Sequence, residues 1–293
     1  MSIPTPSAFD ALWDYDHPQA TEERFRELLP ELTATGNLDA TLQLLTQIAR
    51  AQGLQGRFTD AQATLNQVQA QLSEATPEAQ VRLHLERGRA ANSAGQPAAA
   101  CDSFRAAYAL ANALHRDFYT IDALHMLAIA DAPERQMDWN QQALTLAQQS
   151  SDPRAANWQA SLYNNLGWGY FDANDYAQAL ANFEQALRCR EQRGQVRETL
   201  IARWCIARTL RALGRTAEAL QRQQEIRAAW LAAGEEPDGY GSEEIAENLW
   251  EMGQGEAARP YFAEAYARFA ANGTLADQPE RLARIKERAN LAE

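Results

Sequence analysis

The sequence predicts an all-α protein built from tandem helix hairpins, and three observations carry that prediction. Alanine, glutamine, leucine, arginine and glutamate dominate the 293 residues, and glycine and proline are sparse, a composition that favours helix over strand. A phrase made of a small residue, a turn, and then alanine with a large apolar residue four positions later recurs along the chain. It is visible in "AQGLQGRFTDAQATL", "ANSAGQPAAACDSF", "YFDANDYAQALANF", "LRALGRTAEALQRQ" and "WEMGQGEAARPYF", the fourth with Gln224 at the apolar place. With a degenerate copy turning at Asp131, the turn residues Gly56, Gly95, Asp131, Asn174, Gly214 and Gly253 are spaced by 39, 36, 43, 40 and 39 residues. Apolar residues at helical intervals on both sides of each turn give two antiparallel helices per unit. A unit this small cannot bury its apolar face alone and must stack on its neighbours.

Taken in order, residues 8–35, "AFDALWDYDHPQATEERFRELLPELTAT", predict a first hairpin in which Phe9, Leu12 and Trp13 face Phe25, Leu28 and Leu29 across a turn at "DHPQ". This segment, 1–38, is expected to cap about six repeats over 39–274. The tail, 275–293, is expected to close the array with one amphipathic helix carrying Leu282, Ile285 and Leu291. Terminal units with a polar outer face are what a stacked array needs. "DGYGSEE", Asp238 to Glu244, predicts a linker ending in Ser242 as helix N-cap, with Glu243 and Glu244 set against the helix dipole.

Charge and motif content exclude several functions. A formal charge of −12 opposes direct association with nucleic acid or an anionic membrane surface. Cys101, Cys189 and Cys205 are odd in number, far apart and in helical segments, which fits free thiols in the cytoplasm better than a disulfide frame. The opening "MSIPTPSAFDALWDYDHP" lacks the pattern of a secretory signal, and no apolar run is long enough to span a membrane. No HExxH, CxxC or GxSxG motif occurs, so no catalytic residue, metal site or cofactor is expected. His84 is expected to pack in its repeat, and "GWG" at Gly167–Gly169 falls inside a helix, not in the strand–loop–helix setting that holds phosphate.

Tyr163, Leu166, Gly167, Tyr170, Ala179, Phe183 and Ala186 stand at the spacing of the tetratricopeptide motif, with Glu191 in place of its closing proline. Other copies keep the small residues: Ala49 and Ala61, Gly88 and Ala100, Ala207 and Ala219, Ala246 and Ala258. Over roughly Leu42 to Ala271 the chain therefore resembles the tetratricopeptide repeat family. Its longer period is similar to the subclass in kinesin light chains, cell polarity adaptors and bacterial pheromone receptors. The resemblance implies a right-handed α-solenoid, and a protein or extended peptide bound in the concave groove lined by the first helix of each hairpin.

Family positions carried onto this sequence place Arg50, Arg82, Arg89, Phe118, His125, Asn164, Asn165, Trp168, Phe171, Trp204, Arg208 and Arg211 in that groove. Glu243, Glu244 and Glu247 follow in the sixth repeat, beside Tyr240 and Trp250. Arginines around aromatics suit a partner segment carrying acidic residues or a free carboxylate, because a guanidinium grips a carboxylate with two parallel bonds. Asn164 and Asn165 add side-chain amides that can bond a peptide backbone. The family's chaperone-tail clamp is not reproduced, since Ile121 and His125, then Ile201 and Cys205, stand where it needs polar and basic residues. The expectation is a non-enzymatic binding scaffold or adaptor. Two alternatives stay open: a peptide-sensing bacterial regulator without a DNA-binding head, for which the first 40 residues are too few and too acidic, and a scaffold that assembles as a homo-oligomer.

Overall fold

Each recurring phrase forms a helix hairpin in the computed structural model, which describes residues 6–236 and 238–290. Two compact units result, Met1–Trp158 and Gln159–Glu293. The first opens with a short 3₁₀ helix, Pro6–Leu12, and α1, Pro18–Ala34. Three hairpins follow: α2 (Leu38–Leu54) with α3 (Phe58–Gln69), α4 (Pro77–Ser93) with α5 (Pro97–Ala113), and α6 (Asp117–Ala130) with α7 (Pro133–Gln149). A single turn, α8 (Pro153–Ala156), ends the unit. The second unit pairs α9 (Gln159–Asp172) with α10 (Tyr176–Gln192), α11 (Val196–Ala212) with α12 (Thr216–Ala232), and α13 (Gly239–Glu251) with α14 (Gly255–Asn272). It closes with α15 (Pro279–Arg288).

The turns are made as the sequence requires, with one exception. Gly95 and Asn174 take φ of +70° and +61°, the left-handed region open to glycine and tolerated by asparagine. Asp131 instead stays extended, at φ −82°. Its carboxylate accepts the backbone N–H of Ala132 and the indole N–H of Trp139, both at 3.0 Å, so side-chain capping replaces the left-handed turn.

The small residues of the motif mark where helices cross. A Cβ on Gly88 would lie 2.3 Å from the Phe104 ring, and one on Gly167 would lie 2.5 Å from the Phe183 ring. Both rings are fully buried, so each glycine lets the second helix press an aromatic against the backbone of the first. Leu65 and Phe262 fill the same place in their hairpins and are buried as well. In the α11–α12 hairpin the residue at that place is Gln223, one position before the Gln224 read from the pattern, and it is 1% exposed.

The ends depart from the sequence reading. Residues before the first turn form a 3₁₀ helix and not the first arm of an α-hairpin, although Phe9 and Trp13 do meet Phe25 edge-on, at ring distances of 6.4 and 5.5 Å. The Asp14 carboxylate accepts the N–H groups of Asp16 and His17 at 3.1 Å and fixes the turn, after which Pro18 starts α1. Helix α13 begins at Gly239, with Asp238 as its cap rather than Ser242. The Asp238 carboxylate accepts the Gly241 N–H at 2.7 Å, which leaves Glu243 and Glu244 past the first turn, where the dipole is spent. In α15, Ile285 is fully buried and Leu282 packs beside it, while Leu291 lies outside the described residues.

Candidate functional site

In the first unit, the face formed by α2, α4 and α6 is covered by the chain's own N-terminal segment. The Trp13 indole donates to Gln47 Oε1 at 3.1 Å, and Asp10 pairs with Arg82 at 3.7 Å and with Arg154 at 3.6 Å. The guanidinium of Arg50 sits 5.4 Å from both the Trp13 and Tyr15 rings, which stack on each other at 4.9 Å. Arg82 is buried beneath this segment and donates to Gln43 and Tyr119.

Arg89 is committed to carboxylates of the chain itself. It donates to both oxygens of Asp122 at 2.6 and 2.7 Å and to Glu86 at 2.7 Å. Burial alone would pull this guanidinium down, but the Asp122 and Glu86 charges outweigh it and hold it above its ordinary range. Burial pushes the Asp122 carboxyl up, and Arg89 and Arg50 overcome that to hold it below the usual carboxylate range. His125 lies against Trp158, with ring centroids 5.0 Å apart. Burial lowers its pKa, Asp122 opposes that and Arg89 adds to it.

His84 is likewise shifted down, by burial and then by Arg87. Both imidazoles are harder to protonate in the fold than in the unfolded chain. The unfolded chain therefore takes up more protons once pH falls below about 6.5, and these residues withdraw stability from there downward. The melting temperature is expected to fall between pH 7 and pH 5, and His125→Gln is expected to flatten that fall. Superimposable melts of the parent chain at the two pH values would refute it.

In the second unit, the aromatics named from sequence form a continuous row. Trp168 of α9 meets Phe171, the motif Phe183 and Trp204 at 5.3, 5.1 and 6.1 Å, and Trp204 of α11 meets Tyr240 of α13 at 6.2 Å. Trp168, Phe171 and Trp204 are half-buried. Asn164, on the same helix, accepts the Cys205 thiol at 3.8 Å; burial pushes that thiol up to about 12. Asn165 is half-buried beside it.

Arg208 lies over Phe171 at 5.2 Å and pairs with Glu244. Arg211 donates to both oxygens of Glu244 at 2.9 and 3.0 Å and to Glu251 at 2.7 Å. On the other side of α13, Arg281 of α15 grips Glu243 with bonds of 2.9 and 2.5 Å, and Arg288 reaches Glu247 at 2.5 Å.

The inward arginines of both units thus meet carboxylates supplied by the next repeat or by the N-terminal segment, and the inward carboxylates Glu243 and Glu247 of α13 meet arginines supplied by α15. Sequence reasoning places Glu243, Glu244 and Glu247 inward without pairing them to the arginines. It misses Asp10, Trp13 and Tyr15 on this face altogether. Among the described residues no helix is long and apolar enough to cross a membrane, and no cluster of side chains could hold a metal ion.

Stacked hairpins with a surface built from their first helices define a protein of the α-solenoid class. Residues 138–192 match the family model of the tetratricopeptide repeat; the chain carries that repeat, and its fold is that of tetratricopeptide solenoids. No curated protein sequence matches it. Among solved structures it is similar to BtubC (BKLC) from P. vanneervenii, at 18% identity and a TM-score of 0.61 over 77% of this chain and 95% of that one. It is also similar to the apo form of RapI, at 13% identity and a TM-score of 0.70 over 88% and 72% of the two chains. A Rap protein complexed with competence and sporulation factor matches at 13% identity and a TM-score of 0.58 over 90% and 76%.

Proposed function

We propose that this protein is a non-enzymatic scaffold that holds an extended segment of a partner protein against the first helices of its hairpins, and that the segment combines aromatic with acidic residues. One observation carries the reading: a segment combining aromatic with acidic residues, 9–15, whose first part is 3₁₀ helix, already lies on this face in the first unit, with Trp13 bonded to Gln47, Asp10 paired with Arg82 and Tyr15 under Arg50. The second unit presents the same residue kinds in Trp168, Phe171, Trp204, Arg208 and Arg211, with Asn164 and Asn165 able to bond a peptide backbone. A related fold solved with competence and sporulation factor supports the same use. Three free cysteines suit a cytoplasmic setting.

Peptide selection from a random displayed library tests this. The full chain is expected to enrich sequences pairing an aromatic with nearby carboxylates, and a Trp168→Ala, Arg208→Glu variant is expected to lose most of them, with binding to the parent weakening as salt rises. Equal enrichment on both chains would sink the proposal.

A further inference from the structure

We propose that the cavity between α11, α12 and the start of α13 binds a neutral ligand in which an aromatic or aliphatic group is joined to an amide. This site does not depend on what the rest of the first-helix face binds. The cavity holds about 290 Å³, with walls from Leu200, Ile201, Trp204, Ile226, Trp230 and Tyr240. That is near the lower end for small-molecule pockets, enough for one ring or branched chain with a single amide.

The cavity follows from a departure from the repeat. Where four of the other five hairpins press Leu65, Phe104, Phe183 or Phe262 into the interior, α12 supplies Gln223, whose side chain ends in polar atoms and fills less space. Gln223 lines the cavity and is 1% exposed, and neither its amide nitrogen nor its amide oxygen has a hydrogen-bond partner. The buried indole nitrogen of Trp204, also in the wall, lacks one too. Buried polar groups are nearly always satisfied, so three unmet atoms around one apolar cavity describe what should enter it.

The pattern is selective. Two N–H donors call for an acceptor, and the Gln223 carbonyl calls for a donor beside it. An amide offers both. A carboxylate has no proton for the carbonyl, and an ammonium has no lone pair for the donors. The cation in the wall is already answered: Arg227 pairs with Glu264 at 3.0 Å and donates to Ser242. A carboxylate ligand would therefore find no free counter-charge there.

N-acetyl-phenylalanine amide is the probe, titrated into the full chain by calorimetry, with Gln223 and Trp204 side-chain N–H signals followed by NMR. Saturable binding that shifts both signals is expected, and the free acid, N-acetyl-phenylalanine, is expected to bind roughly tenfold or more weakly. Gln223→Leu restores the repeat's apolar residue, so it should raise the melting temperature and weaken the amide by a similar factor. Ile201→Trp, at the 49% exposed rim, should block entry without touching the amide. A capped tripeptide centred on phenylalanine separates the sources: equal affinity points to a residue within a peptide, and loss of affinity to a free small amide. Absence of saturable binding, equal binding by the acid, or undiminished binding by Gln223→Leu would overturn the proposal. So would a crystal soaked with the amide in which Gln223 meets ordered water only.

Discussion

Replacing Arg89 with alanine is expected to destabilise the first unit by about 3–5 kcal/mol, the usual loss when one partner of a buried ion pair is removed. Arg89 is only 17% exposed at its side chain, and the carboxylates it serves, Asp122 and Glu86, are 10% and 4% exposed. Without the guanidinium, two negative charges face each other in a setting that screens them poorly, with Arg50 3.9 Å from Glu86 as the remaining cation nearby. The loss should appear in denaturant melts followed through Trp13, Trp139 and Trp158. A triple variant, Glu86→Met, Arg89→Met and Asp122→Leu, removes all three charges at similar volume and should be much milder than Arg89→Ala, because most of the single variant's cost is uncompensated charge rather than lost contact. A change below about 0.5 kcal/mol for Arg89→Ala, the size of a surface substitution, would show that the cluster is solvated and that the face is not neutralised from within.

How far such a face could be read in advance follows from where each partner sits. The fold was legible because its signals are local and repeated: Gly88 with Ala100, Gly167 with Ala179, and a glycine or asparagine at most turns. The aromatic row was legible for a related reason, since Trp168, Phe171 and Trp204 stand at inward places of successive first helices where the motif itself asks for no aromatic. The fate of the arginines was not, because each depends on a residue about one repeat away, as Arg89 on Asp122 and Arg211 on Glu244. The signal existed, in acids at the inward places of the following repeat, but composition alone does not say whether charges across a repeat boundary meet each other or a ligand. The docking of residues 9–15 was less legible still. That segment makes a 3₁₀ helix outside the repeat pattern, and its anchors, Asp10 on Arg82 and Trp13 on Gln47, link it to helices that start far along the chain. Gln223 teaches the converse. A polar residue at a place that is otherwise apolar looked like a lapse in the motif, and it lines the cavity whose polar atoms remain unmet.

Phe183→Ala is expected to cost the second unit about 3–5 kcal/mol, the range for emptying a buried phenylalanine site. The ring is fully buried, packs edge-on with Trp168 at 5.1 Å, and covers Gly167 so closely that a methyl there would lie 2.5 Å from it. Gly167→Ala alone should therefore cost about 1–3 kcal/mol through overpacking, despite alanine's better helix propensity. The two should not add. With the ring gone, the Gly167→Ala methyl enters vacated space instead of a clash, and the propensity gain of about 1 kcal/mol at that helix position becomes available. The double variant is thus expected to be no less stable than Phe183→Ala, giving a coupling energy of at least about 1 kcal/mol. Strict additivity in denaturant melts would mean that glycine at this place is not there for the aromatic, and the packing rule drawn from Gly88 and Gly167 would fail with it.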